Sequence, residues 1–246
     1  MNKRKVAVFV EGQTELVFVR DFLRQWYGYD EEILGFDCVT LFGETTRYVP
    51  FSCGNTESQN YYLLVNVGND RSVLSKMLKR MASLQERGYQ LVIGLRDMYS
   101  REYRELCGSH TIDDDLIEDF KNAVHKQIED AGGTGFLDLH FAIMEVEAWF
   151  LGMSRFLLEI DCSLTPDFIL EHTGTDVNQD PERAFFHPAA ELLEIYQCVG
   201  KDYEKHLSDI SAITAALTDD DYLNLFASDR CASFKTFAEV LLNCHF

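Results

Sequence analysis

The run Lys5-Val6-Ala7-Val8-Phe9-Val10, closed by Glu11-Gly12-Gln13, constrains this chain more than any other feature. A strand with one wet face alternates apolar and polar residues, whereas an unbroken apolar run is the pattern of a strand covered on both faces. Beyond the turn, Leu16, Val19, Leu23 and Trp26 recur at helical spacing, joined by Phe18 and Phe22. Strand, tight turn and amphipathic helix in that order open an α/β domain with a parallel sheet flanked by helices.

The same reading extends along the chain. A second strand is expected over Cys38 to Phe42. Tyr48 to Cys53 and Tyr61 to Val67 are β-rich, with Gly54-Asn55 between them, and read as a hairpin or an inserted edge. Asp70 can cap the next helix, whose face is set by Val73, Met77, Met81 and Leu84 and which Arg87-Gly88 ends. Tyr89 to Leu95 is another buried-type strand, ending in Arg96-Asp97. The polar stretch 98–112 reads as a loop, and 113–131 as a helix with Leu116, Phe120, Val124 and Ile128 on one face. Phe136 to Ile143 reads as a strand and Glu145 to Leu158 as a helix. From about residue 160 only helices are expected, with Pro at the first helical position after Thr165 and after His187 and a capping box at Thr218–Asp221. The expected organisation is an α/β domain over 1–160 and an acidic helical subdomain over 161–246 packed on it. At 246 residues, 46% of them hydrophobic, with 18 Phe and 11 Tyr, the chain can fill such a core.

Acidic residues follow the apolar strands. Glu11 follows the first, Asp97 the Leu91–Leu95 run, and Glu145 and Glu147 the Phe136–Ile143 run. In an open parallel sheet the strand ends share one edge, and ligands bind in the crevice there, so these carboxylates are expected to converge. Converging carboxylates repel one another, and a hard divalent cation such as Mg2+ or Mn2+ relieves that repulsion. Two residues in a helix point about 200° apart, so Glu145 and Glu147 can share a site only if Glu145 is still extended. A single acid at a helix start is also explained by the helix dipole alone; the repetition at three strand ends favours a site. Glu15 reads as a solvated helix residue. Arg96 and Arg101, with Arg104, flank the stretch after Asp97 and could hold a phosphate, although Glu102 and Glu105 balance them locally.

Two stretches carry a family resemblance. Val8-Phe9-Val10-Glu11-Gly12-Gln13-Thr14-Glu15 resembles the opening motif of TOPRIM domains, which implies a metal-ligand or general acid/base role for Glu11. The second motif of that family is Asp-x-Asp; here Asp97 matches the first Asp, and Tyr99 stands where the second is expected. His140 to Leu151, containing Glu145-Val146-Glu147-Ala148-Trp149, is similar to the Glu-x-Glu-Ala-Trp signature of the DUF4276 family of TOPRIM-like bacterial proteins. Tyr203-Glu204-Lys205 through Ile213 and Arg230 to Phe234 resemble that family's tail. The resemblance spans most of the chain and implies a TOPRIM-like fold and a nuclease-like activity associated with mobile elements or phage defence.

Charge distribution narrows the partners. Residues 1–110 carry 14 Lys/Arg and 14 Asp/Glu, whereas 111–246 carry 8 and 27, the whole of the net −19. A polyanion is therefore expected to approach through residues 1–110, and the acidic half suits a protein partner. No apolar run approaches the roughly 20 residues that span a bilayer, no signal-peptide pattern is present, and the seven scattered Cys lack metal-ligand spacing. A cytoplasmic protein with reduced thiols is expected. The leading expectation is a Mg2+-dependent phosphoryl-transfer enzyme, most simply a nuclease. The alternative is a non-catalytic interaction module with a degraded metal site, motivated by Tyr99 and the acidic second half. A hydrolase of small phosphorylated molecules is a third reading.

Overall fold

The computed structural model describes residues 3–43, 45–68, 72–108 and 110–243; the helix cap expected at Asp70 lies outside them. The elements run β1 (Arg4–Val10), α1 (Gln13–Trp26), β2 (Leu34–Phe42), β3 (Thr45–Cys53), β4 (Asn60–Asn66), α2 (Val73–Glu86), β5 (Leu91–Asp97), α3 (Arg101–Cys107), α4 (Asp114–Asp130), β6 (Leu137–Ala142), α5 (Val146–Gly152), α6 (Phe156–Ile160), α7 (Pro166–Thr173), α8 (Pro181–Ala184), α9 (Pro188–Gln197), α10 (Leu207–Ala216), α11 (Asp219–Ala227) and α12 (Ala232–Leu242). They form two compact units, Met1–Arg96 with Asp115–Phe141, and Asp97–Asp114 with Ala142–Phe246.

The first unit carries a mostly parallel six-stranded sheet flanked by helices, in the order β3-β2-β4-β1-β5-β6. β1 lies between β4 and β5, parallel to both, with Val10 opposite Asn66 and Leu95. Its residues Val6 to Val10 are fully buried, which is why the run is apolar throughout. The two segments expected as a hairpin or edge have different fates. β3 is the antiparallel edge on β2, while β4 is central and parallel to both β2 and β1. The physical reason is composition: Tyr61 to Val65 are all buried, whereas β3 has a largely exposed burial pattern. Pro50 sits within β3 where the register with β2 shifts between Phe36 and Cys38, a bulge at an edge that tolerates its missing N–H. α2 approaches β5 closely: a Cβ on Gly94 would lie 2.6 Å from the Met77 sulfur and 3.0 Å from Leu139 Cγ.

The turn after β1 is closed by Glu15. Its carboxylate accepts the Gly12 N–H at 2.7 Å, and the residue is 4% exposed. The expectation of a solvated Glu15 is thus corrected, because a buried acid here satisfies a free donor at the helix start.

The second unit is helical. The stretch expected as a loop after Asp97 contains α3, started by Ser100, whose hydroxyl accepts the Tyr103 N–H at 3.2 Å, and ended by Gly108 at φ 61°. Its buried Tyr103 accepts the Asp113 N–H at 2.9 Å. The helix expected over 145–158 is broken into α5 and α6. The compact units divide at 96/97, 114/115 and 141/142 rather than at residue 160, because α5 packs against α8 and α9, and α6 against α10.

The capping box expected at Thr218 recruits an arginine. Asp221 accepts the Thr218 N–H and hydroxyl, both at 2.8 Å, and Arg155 Nε and Nη2 at 2.9 and 3.0 Å. Burial alone would raise the Asp221 pKa, but the hydrogen bonds from Arg155 and Thr218 outweigh it and hold the group below its ordinary 3.8. Asp221→Asn should cost about 1–2 kcal/mol in urea unfolding at neutral pH. A depressed carboxylate stabilises the fold above its ordinary pKa and loses that contribution as pH falls through the depressed value, so variant and wild type should converge in strong acid.

Among the described residues no helix is long and apolar enough to cross a membrane, and the six described cysteines are free thiols.

Candidate metal centre

Three of the expected carboxylates meet in the second unit. Asp97 ends β5, Glu145 directly precedes α5 and Glu147 lies in its first turn; one oxygen from each lies within 4.8 Å of the others. Glu145 is extended, at φ −147° and ψ 159°, which meets the condition for sharing a site with the helical Glu147. The turn is set by Met144, fully buried with φ 61°, a left-handed conformation uncommon outside glycine. Tyr99 N–H holds it by donating to the Met144 carbonyl at 2.7 Å, beside a second bond from Met98 N–H to the Ala142 carbonyl at 2.9 Å. Asp97 Oδ1 in turn accepts the Val146 N–H at 3.1 Å, one of the donors a helix start leaves free.

The centre contains a cation of its own. Lys205 Nζ lies 2.8 Å from Glu145 Oε1 and 3.1 Å from Glu147 Oε1. Burial opposes its charge, but Glu147, Glu145 and Asp97 together outweigh burial and hold the ammonium pKa above the ordinary lysine value. Lys205 is held at φ 56°, and Asp209 Oδ2 accepts the N–H groups on either side of it, from Glu204 at 3.0 Å and His206 at 3.1 Å.

Other partners orient the acids. Glu145 Oε2 accepts the Ala189 N–H at 3.0 Å and lies 3.7 Å from His187 Nε2. Tyr203 donates its hydroxyl to Glu147 Oε1 at 2.8 Å; burial, then the Glu147 charge, push its pKa up and keep it a donor. Glu147 is fully buried, and its Oε2 has no hydrogen-bond partner among the described residues. An orphaned buried carboxylate oxygen is costly.

The donor set suits a hard divalent cation. Mg2+ binds oxygen at about 2.0–2.1 Å, so ligands on opposite sides lie about 4.2 Å apart. The three oxygens, within 4.8 Å of one another, are close enough that one such ion could be held among them.

A second buried carboxylate braces α5. Glu182 accepts Trp149 Nε1 at 2.9 Å, Ser233 N–H at 3.1 Å and the Ser233 hydroxyl. Burial raises its pKa against these bonds. Ser233 Oγ also accepts the Ile143 N–H at 3.2 Å.

The other expected residues are not among the three that cluster. Glu11 follows β1 in the first unit, and the three-carboxylate cluster forms without it. Arg96 is also in the first unit, its guanidinium 5.2 Å from the Phe141 ring centroid. Arg101 is an exposed helix residue paired with Glu105 at 2.6 Å. Reasoning from strand ends did not find Lys205, Tyr203 or His187. The signal for Tyr203 and Lys205 is the Tyr203-Glu204-Lys205 stretch within the C-terminal resemblance, whereas His187 was marked only as the residue before a helix-starting Pro. The chain matches no protein-family model, no curated protein and no solved structure.

Proposed function

We propose that Asp97, Glu145 and Glu147 hold a divalent cation, Mg2+ or Mn2+, and that the protein is a metal-dependent phosphoryl-transfer enzyme, most simply a nuclease. The observation that carries the reading is the cluster itself, one of whose members, Glu147, has a buried Oε2 without a hydrogen-bond partner among the described residues. Such a cation, when bound, polarises a phosphoryl oxygen and lowers the pKa of a bound water. Within the chain, Asp97 and Glu145 are oriented by the backbone N–H groups of Val146 and Ala189, and Tyr203 fixes Glu147. Lys205 supplies a second positive charge for a phosphoryl oxygen, the kind of fixed charge that stabilises a developing anion. The resemblance to TOPRIM and DUF4276 sequences is consistent with this chemistry.

Lys205 also favours a second reading. As an internal ammonium it already offsets part of the charge of the cluster, and a chain that relies on it permanently would be a non-catalytic interaction module. Mn2+ titration followed by electron paramagnetic resonance separates the two. The enzymatic reading expects one saturable site that is lost in Glu147→Gln, and Mn2+- or Mg2+-dependent cleavage of single- or double-stranded DNA or RNA lost in the same variant. Silence in both assays would leave the module.

A further inference from the structure

We infer that Tyr99 and His187 form a base-stacking subsite beside the carboxylate centre, so that the nucleic acid is taken as an unpaired strand; this rests on the phosphoryl-transfer reading. The two rings lie 4.4 Å apart and 19° from parallel. Phe186 braces Tyr99 edge-on at 5.4 Å and 82°. The Arg104 guanidinium lies 4.9 Å from the Tyr99 ring centroid. His187 keeps 45% of its side chain exposed while its Nε2 lies 3.7 Å from Glu145 Oε2. The accessible ring of the stack is therefore the one next to the proposed metal ligands, and Tyr99, at the position where the resembled motif has its second Asp, backs it.

Physical chemistry selects the ligand. An exposed aromatic ring backed by a second ring and a guanidinium is a platform for a nucleobase, and every unpaired base has a π-face to offer. A base inside a duplex has both faces covered by its neighbours and cannot reach such a platform without leaving the stack. The charge pattern argues in the same direction. The second unit, residues 97–114 and 142–246, carries 24 acids against 8 Lys/Arg, so a long phosphate backbone is repelled over most of it. Stacking at one or two nucleotides avoids that repulsion. Binding should accordingly depend on bases more than on salt.

The test uses the full chain with Mn2+ present, fluorescein-labelled short strands checked for intactness on a gel, and anisotropy as readout. The probes are oligothymidylate, oligouridylate, an abasic strand of equal length and phosphate number, and a hairpin duplex. The base-bearing strands should bind at least roughly tenfold more tightly than the abasic strand and the hairpin, and Tyr99→Leu should weaken them roughly tenfold to a hundredfold, with Tyr99→Phe restoring them. The ratio of oligothymidylate to oligouridylate says whether DNA or RNA is preferred. Equal binding of abasic and base-bearing strands, preference for the hairpin, or an unaffected Tyr99→Leu protein would overturn the subsite. If Tyr99→Leu also loses its Mn2+ resonance signal, the exposed Arg104→Gln decides: several-fold weaker strand binding supports the subsite, and no change overturns it. A wild-type protein that binds no Mn2+ yet keeps the base preference sinks the metal reading and leaves the subsite standing.

Discussion

Lys205→Met should destabilise the metal-free protein by about 3 kcal/mol, and a divalent cation should restore most of the loss. Removing one partner of a buried ion pair typically costs about 3–5 kcal/mol, because the other charge is left without compensation. The low end applies because the Lys205 side chain is 38% exposed and water screens part of the effect. The variant leaves Glu145 and Glu147, both buried, with Asp97 beside them and no ammonium. A ligand that binds only the folded state stabilises it by about 2.7 kcal/mol at a hundred times its dissociation constant, enough to offset the loss. Mn2+ should therefore raise the urea midpoint of Lys205→Met more than that of the wild type, where ion and ammonium compete for the same oxygens. A variant as stable as the wild type would mean that the lysine is not the counter-ion of the cluster. A destabilised variant that Mn2+ leaves unchanged would favour the non-catalytic module.

Trp149→Ala should be the most damaging single substitution in α5, at about 3–5 kcal/mol in urea unfolding. Trp149 is fully buried, stacks on Phe237 at 5.6 Å and meets Phe234 edge-on at 5.5 Å. The loss includes the indole N–H bonds to Glu182 at 2.9 Å and Ser233 at 3.0 Å. Glu182 keeps both Ser233 donors, so Trp149→Phe should cost markedly less, chiefly the hydrogen-bond share of about 1–2 kcal/mol. The consequence extends to the centre. Trp149 lies two residues beyond Glu147 on the same short helix, and its packing holds that helix in rotation. Mn2+ affinity should therefore fall in Trp149→Ala even where the protein remains folded, and less in Trp149→Phe. Unchanged affinity in both would separate the brace from the site.

The two variants bear on different parts of one arrangement. Lys205 addresses the charge the carboxylates share, and Trp149 the rigidity with which one of them is presented. A chain in which both mattered equally for stability but neither for Mn2+ would be an ordinary buried ion pair on a well-packed helix. The expected pattern is different: Mn2+ rescues one loss and tracks the other.

What local sequence determined was the identity of the strands and the acids that follow them. β1, β4 and β5 are buried, and burial writes itself into a run of apolar residues; the same rule would have marked β4 as central, since Tyr61 to Val65 are as unbroken as Val6 to Val10. Asp97, Glu145 and Glu147 were legible because each comes at or just after the end of a strand, although Asp138 and His140 interrupt the apolar run of β6. The share of Glu145 and Glu147 in one site turned on whether Glu145 was extended, and the left-handed Met144 decides that; a non-glycine residue at positive φ leaves no mark in sequence because tertiary contacts impose it. The helix after Asp97 was hidden for a similar reason: its polar surface resembles a loop, and only the Ser100 cap and buried Tyr103 reveal it. Lys205, Tyr203, Ala189 and His187 came to the centre from the start of α9 and the stretch before α10, 40 or more residues beyond Glu145 and Glu147. No spacing rule joins them, because contacts over that separation are set by how helices pack and not by the period of any one of them. The chain by itself thus settles which side chains want to be buried or charged, and packing alone settles which of them meet.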